Sequence, residues 1–141
     1  MEPGLPKDYR PSEDEPYMNP RQLAYFRQKL LAWRDSIVQE SAAMLNIVKK
    51  TSLKAPDDAD QGRLEADNTL TLRNSDRNRK LLYKIDEALE RIKNGTYGYC
   101  EETGEEIGIK RLEIRPVAAL SIEAQKKHEQ MERLTRGRTR R

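Results

Sequence analysis

Apolar residues recur along the first half of the chain at alternating spacings of three and four: Leu23, Phe26, Leu30, Trp33, Ile37, Met44 and Ile47, broken only where Glu40 takes a seam position. That is the a/d repeat of a coiled-coil helix. Asn19 can cap its first turn, Pro20 suits a first helical position that needs no backbone N–H, and Gln22 can close a capping box. Pro56 disfavours helical geometry at Ala55, so this arm is predicted to end near Ala55. A second arm is predicted to begin with Asp60 as N-cap and to run to Asn94, where Gly95 offers the left-handed conformation that closes many helices. Its apolar residues, Leu81, Leu82, Ile85, Ala88, Leu89 and Ile92, lie far from the intervening turn, whereas Thr71, Ser75 and Asn78 take seam positions nearer to it. Two arms of near-equal length joined by Pro56-Asp57-Asp58-Ala59-Asp60 read as a long antiparallel coiled-coil hairpin over residues 18–94, with an acidic tip at 56–60. At about 1.5 Å per residue, an arm of roughly 35 residues extends about 50 Å.

The pattern changes on either side of the hairpin. Residues 1–17 hold four of the seven prolines and a mostly acidic remainder, the composition of an extended or disordered arm. After Asn94 comes Gly95-Thr96-Tyr97-Gly98-Tyr99-Cys100, followed by Thr103-Gly104. Glycines and aromatics at this density mark turns between short strands, so residues 95–116 are predicted to form a compact β-like knuckle with Ile107, Ile109, Leu112 and Ile114 as its core. Pro116 ends it. Val117, Leu120, Ala124, Met131 and Leu134 then suggest a C-terminal helix that packs back on the hairpin base, completing a small globular unit over 95–135. Residues 136–141 read as a solvated basic tail. The fold class is therefore mainly α.

Composition narrows the function. With 141 residues, 35% hydrophobic, 36% charged and eight aromatic side chains, the chain can bury one modest core and a coiled-coil seam, not a large enzyme-like interior. No nucleophile–base pair, phosphate-binding glycine loop or metal cluster is legible, so an enzyme is not expected. The single Cys100 excludes an intramolecular disulfide, and no apolar run approaches a signal or membrane segment. The cytoplasm is the expected compartment. The net charge of +3 suggests nucleic acid, but without residues 136–141 the count is 23 basic against 24 acidic. The basicity belongs to the tail and not to a binding face.

Two charged features invite both structural and functional readings. Asp57, Asp58 and Asp60 are residues that cap a helix and complement its positive end, and the local pattern favours that role. Arg73, Arg77, Lys80, Lys84 and Arg91 keep heptad-compatible spacing on the second arm and form a basic stripe, which in an arbitrary protein is a solvated flank with Asp76 and Glu87 available for intrahelical pairs. His128 reads as a helix-surface residue.

Tyr17-Met18-Asn19, Gln22-Leu23-Ala24, Ala32-Trp33-Arg34, Leu72-Arg73-Asn74, Asp76-Arg77, Arg79-Lys80-Leu81, Tyr97-Gly98-Tyr99-Cys100, Ile107-Gly108-Ile109, Arg111-Leu112-Glu113 and Arg115-Pro116 together resemble the DksA/TraR family of bacterial RNA polymerase-binding transcription factors, from about Tyr17 to Gln125. The resemblance implies a monomer that does not bind promoter DNA or membranes but inserts its coiled coil through the secondary channel of RNA polymerase. Its tip then lies near the active centre and destabilises initiation complexes, in concert with guanosine tetraphosphate (ppGpp) in the stringent response. Asp57 and Asp60 fall on the family's two tip aspartates, and Gly62 replaces its small alanine two residues on. Arg77, Leu81, Lys84 and Arg115 resemble positions that form the ppGpp site with the polymerase, and Gln125 stands where lysine is usual. The family's knuckle is a four-cysteine zinc site; here those positions read Cys100, Thr103, Ser121 and Ala124. Structural zinc wants four soft ligands in a tetrahedron, so zinc is not expected, and Cys100 is expected to be a small buried hydrophobe. A coiled-coil adaptor indifferent to tip charge, or a DNA-binding protein derived from a zinc finger, are the alternatives.

Overall fold

The computed structural model describes the backbone of residues 5–52 and 58–139, and the side chains of residues 5–50 and 69–137. Four helices follow in order: α1 (Pro20–Ser52), α2 (Asp58–Asn94), α3 (Ile109–Ile114) and α4 (Ile122–Thr139). Contacts divide the chain into two units, one of Met1–Leu30 with Glu87–Arg141, the other Leu31–Asp86. No helix among the described residues is long and apolar enough to cross a membrane.

The ends of the long helices follow their local signals. Asn19 Oδ1 accepts the Gln22 N–H at 3.0 Å, and Gln22 Oε1 accepts the Met18 N–H at 2.8 Å, a reciprocal box displaced by one residue from the simplest form. At the other terminus the Thr96 N–H reaches Arg91 O at 2.9 Å and the Gly95 N–H reaches Ile92 O at 3.3 Å, with Gly95 at φ 80°. This is a Schellman closure, which requires a left-handed residue where a side chain would cost energy. α2 begins at Asp58, so Asp60 lies within its first turn and is not the N-cap.

In the first unit, Phe26, Leu30, Ala88, Tyr97, Ile107, Ile109, Leu112, Val117, Ala118 and Ala124 form the core. Phe26 and Tyr97 are fully buried with ring centroids 5.7 Å apart, each contributing about 1.5–3 kcal/mol through burial. The Tyr97 hydroxyl donates to Pro116 O at 2.8 Å, so the buried phenol is satisfied. Residues 5–19 make local turns and contacts with α1. Turns close at Pro6–Tyr9 and Ser12–Glu15, Tyr9 packs edge-on against Tyr25 at 6.1 Å, and the fully buried Gln22 amide donates to Ser12 O at 3.0 Å. Burial and the bond to Glu15 push the Tyr9 phenol up to about 12.

The knuckle departs from the strand expectation. A single antiparallel bridge, Tyr99 with Glu106, is its only β pairing among the described residues, supported by Ile107 N–H to Gly98 O at 2.8 Å and Cys100 N–H to Glu105 O at 2.7 Å. Ile109–Ile114 is a helix whose inward residues, Ile109 and Leu112, are three apart, leaving Ile114 87% exposed and outside the core. Lys29 Nζ binds both Glu113 O (2.8 Å) and Glu113 Oε2 (3.0 Å), and the Tyr25 hydroxyl meets the same carboxylate at 3.0 Å, tying α3 to α1. α4 starts later than its apolar pattern implies. Val117 is buried in the turn before it, and Ala124 packs inward, but Met131 and Leu134 are exposed and do not fold back. The helix also continues through residues 136–139, which the sequence pattern assigns to the tail.

In the second unit α1 and α2 run antiparallel. Arg34 Nε meets Asp86 Oδ1 at 2.8 Å, and Asn78 Nδ2 donates to Ser41 Oγ at 3.2 Å, so seven residues forward on α1 answer eight back on α2. Ile37 and Ile85 are buried at this seam. Beyond them the seam passes through Ser41, Met44 and Val48, while Ile47 is largely exposed. A charged Glu40 cannot enter the interface, and a step of four from Ile37 puts Ser41 there instead. Thr71, Ser75 and Asn78 do line the seam, with Ser75 Oγ buried and unpartnered among the described residues.

Candidate functional site

Three groups of residues are candidates for function. Asp57 lies outside the described residues, as does the side chain of Asp60, and the backbone of Asp60 and Gly62 belongs to the first turns of α2.

The basic stripe is partly assembled on one helix of the second unit. Arg77 and Lys84 are exposed and two turns apart on α2, with Leu81 half-buried between them. Lys84 also lines a shallow depression of about 400 Å³ with Arg79, Lys80 and Tyr83. Arg79 is paired with Asp76. Arg91 does not join this stripe. Its side chain is only 13% exposed in the first unit, with Nη1 3.3 Å from Glu101 Oε1 and Nη2 buried without a hydrogen-bond partner among the described residues. Arg115, exposed just after α3, and Gln125, half-buried on α4 with its amide 3.4 Å from Glu129, also belong to the first unit.

The knuckle brings Cys100, Thr103, Ser121 and Ala124 into one cluster. Cys100 is 3% exposed, and burial alone would push its thiol up. The Thr103 hydroxyl and the backbone N–H groups of Ser121, Thr103 and Glu102 all favour the thiolate, outweigh burial and bring it down to about 6. Cys100 is thus buried, as expected of a small hydrophobe, and its thiol also lies among donors that lower it. Ser121 Oγ accepts the Ala124 N–H at 3.2 Å, which makes Ser121 the N-cap of α4. A serine just before Ile122-Glu123-Ala124 is the sequence signal for this role. Glu102 pairs with His128 of α4, and that bond raises the imidazole above its usual range. Sequence reasoning misses Tyr17 as a positioning residue: its hydroxyl donates to Gly98 O at 2.6 Å and accepts the Gly108 N–H at 3.0 Å, clamping both sides of the knuckle.

Comparison with known proteins gives this arrangement a lineage. Residues 22–92 match the family described as DnaK suppressor protein DksA, N-terminal domain, and residues 95–130 match the prokaryotic dksA/traR C4-type zinc finger. The chain is 56% identical over 129 residues to a Caulobacter vibrioides protein named RNA polymerase-binding transcription factor DksA, covering 92% of this chain and 91% of that protein. The chain belongs to the DksA/TraR family. An Escherichia coli K12 protein of the same name is 42% identical over 115 residues, covering 82% of this chain and 76% of its own length. The structure of transcription factor DksA2 from Pseudomonas aeruginosa superposes with a TM-score of 0.77 at 41% identity, covering 83% of this chain and 90% of that one.

Family membership raises the question of zinc, which the donor set answers chemically. A structural zinc is held by four thiolate or imidazole ligands. Cys100 offers one sulfur, Thr103 and Ser121 offer neutral hydroxyls already engaged with Cys100 and the α4 N-terminus, and Ala124 offers a methyl group. His128 is occupied by Glu102. No group of three or more His, Cys, Asp or Glu suited to a metal exists among the described residues. These residues do not fit the ion. The helix cap at Ser121, the buried Ala124 and the donors around Cys100 occupy the places where a C4-type zinc finger would have its ligands.

Proposed function

We propose that the chain is a non-catalytic transcription regulator that binds RNA polymerase through its secondary channel as a monomer in the cytoplasm. The observation that carries this reading is the 56% identity, over nearly the whole of both chains, to a protein named for binding RNA polymerase. The antiparallel pairing of α1 and α2 supports it, because a paired helical arm can enter a narrow channel without unfolding. In this reading Asp57 and Asp60, with Gly62 keeping the approach slim, sit near the polymerase active centre. Carboxylates set beside a nucleic-acid backbone in a partly desolvated channel raise its electrostatic energy, which shortens the life of open complexes. Arg77, Leu81, Lys84 and Arg115 contribute to a ppGpp site completed by the polymerase, where desolvation strengthens contacts that would be weak in water. Gln125 adds no charge there, so the response to ppGpp is retained but modest. Purified protein should bind RNA polymerase and be displaced by another secondary-channel factor. Failure to bind polymerase, together with steeply salt-dependent binding to bare DNA, would favour a DNA-binding protein instead.

A further inference from the structure

The depression on α2 holds more than cations. Arg79 with Tyr83 and Lys80 with Lys84 form two adjacent i, i+4 rows, and the phenol ring of Tyr83 lies beside the groove between them. Tyr83 is 65% exposed, an aromatic side chain presented to solvent on a helix whose Ile85 and Ala88 are buried and whose Leu70 and Leu72 are exposed as well. None of the residues lining the depression is acidic. Lys80 and Lys84 carry no ion pair among the described residues, whereas Arg79 is held by Asp76. An aromatic wall beside two ammonium groups that carry no ion pair among the described residues is complementary to a ligand with a flat ring at one end and several negative charges at the other. A nucleotide bearing more than one phosphate group has that character, since every base has a π-face and phosphates seek fixed cations.

We propose that Tyr83 is the base-stacking residue of the ppGpp site, with Lys84 shared between the ring pocket and the phosphate-binding stripe. The inference rests on the function proposed above and names a residue outside its charged set. Stacking is tolerant of base identity and depends on the ring, so Tyr83→Phe retains it and Tyr83→Leu does not. The test is in vitro transcription from a ppGpp-sensitive promoter, with ppGpp titrated against wild type, Tyr83→Leu, Tyr83→Phe and Lys84→Ala. Each half-maximal concentration is measured relative to the same variant without ppGpp, after subtracting the response of polymerase alone. Tyr83→Leu should raise the half-maximal concentration by at least about fivefold, the scale of one lost base–aromatic stack, and Tyr83→Phe by less than about twofold. An unchanged value in Tyr83→Leu beside a raised value in Lys84→Ala would overturn the role of the ring while leaving the cationic site in place. Unchanged values in both would remove the site itself, and Tyr83→Phe behaving like Tyr83→Leu would assign the effect to the hydroxyl and overturn stacking. A parallel titration with GTP separates the other source of the same chemistry: a Tyr83-dependent response to GTP and none to ppGpp would contradict the assignment.

Discussion

Replacing Cys100 by Ala asks whether a thiolate holds the knuckle together. The residue is 3% exposed, and the Thr103 hydroxyl and the backbone N–H groups of Ser121, Thr103 and Glu102 outweigh burial and bring its thiol from 9.0 down to about 6. Because the folded value is depressed, the unfolded chain binds the extra proton between these limits. The thiolate's contribution is therefore fully present above 9 and is lost as pH falls through 6. Each tenfold change in proton affinity corresponds to about 1.4 kcal/mol, so between pH 6 and pH 8 the wild type should gain about 2 kcal/mol of stability that Cys100→Ala cannot gain. Underneath lies a pH-independent loss of about 1–3 kcal/mol from donors left without an acceptor. His128, whose value is raised by Glu102, acts in the opposite sense but is present in both proteins and largely cancels in the difference. Thermal and urea unfolding under reducing conditions at pH 6 and pH 8 read this directly: the gap in Tm should widen by roughly 5–10 °C at the higher pH. A gap of the same size at both values would show that Cys100 stays a neutral thiol and that the loop is held by packing alone.

Elemental analysis of protein purified without chelator should find well below one zinc per chain, and chelator treatment should leave the unfolding curve unchanged; stoichiometric zinc whose removal loosens the knuckle would contradict the donor-set argument. Gly98→Ala should destabilise by about 1–3 kcal/mol, because the residue sits at φ 91° and a Cβ would lie 2.8 Å from Cγ and 2.9 Å from Sδ of the buried Met18. Equal melting of Gly98→Ala and wild type would mean that Met18 can move aside at no cost. His128→Gln should lower stability at pH 6 and have little effect at pH 9, since a raised imidazole contributes below its ordinary value of 6.5 and loses that contribution as pH rises through the raised one. Equal losses at both pH values would make the Glu102 pair irrelevant.

The long helices are legible because their signals are local: a three-and-four repeat, Asn19 before Pro20, and Gly95 after Asn94. Their detailed register is less so. Heptad counting places Ile47 in the seam, but the exclusion of Glu40 shifts the interface to Ser41, Met44 and Val48. The same counting puts Arg91 on the basic stripe, although spacing along one helix cannot reveal that the first unit covers that face. α3 is hidden because a helix of six residues shows only two inward positions, too few to establish a period. The contacts of the N-terminal segment are not legible in its composition. Its prolines do signal turns, but its order comes from Tyr17, whose hydroxyl contacts residues 81 and 91 positions away, and from Gln22, whose buried amide is hydrogen-bonded at both its oxygen and its nitrogen. The knuckle's degeneracy is legible in the missing cysteines. What replaces the metal is not, because the donors to Cys100 include backbone N–H groups that every sequence possesses.

The measurement that bears most directly on function is the lifetime of open complexes formed by RNA polymerase at a promoter with an intrinsically short-lived complex, with and without this protein and its Asp57→Asn, Asp60→Asn double variant. Asparagine keeps the size and much of the capping ability of aspartate, so the variant should retain helix content and polymerase binding. The wild type should shorten the lifetime several-fold and the double variant should not. A double variant that shortens it as fully as the wild type would show that the charge of these aspartates plays no part in the effect, and a wild type without effect on any open complex it is shown to bind would contradict the proposed mode of action altogether.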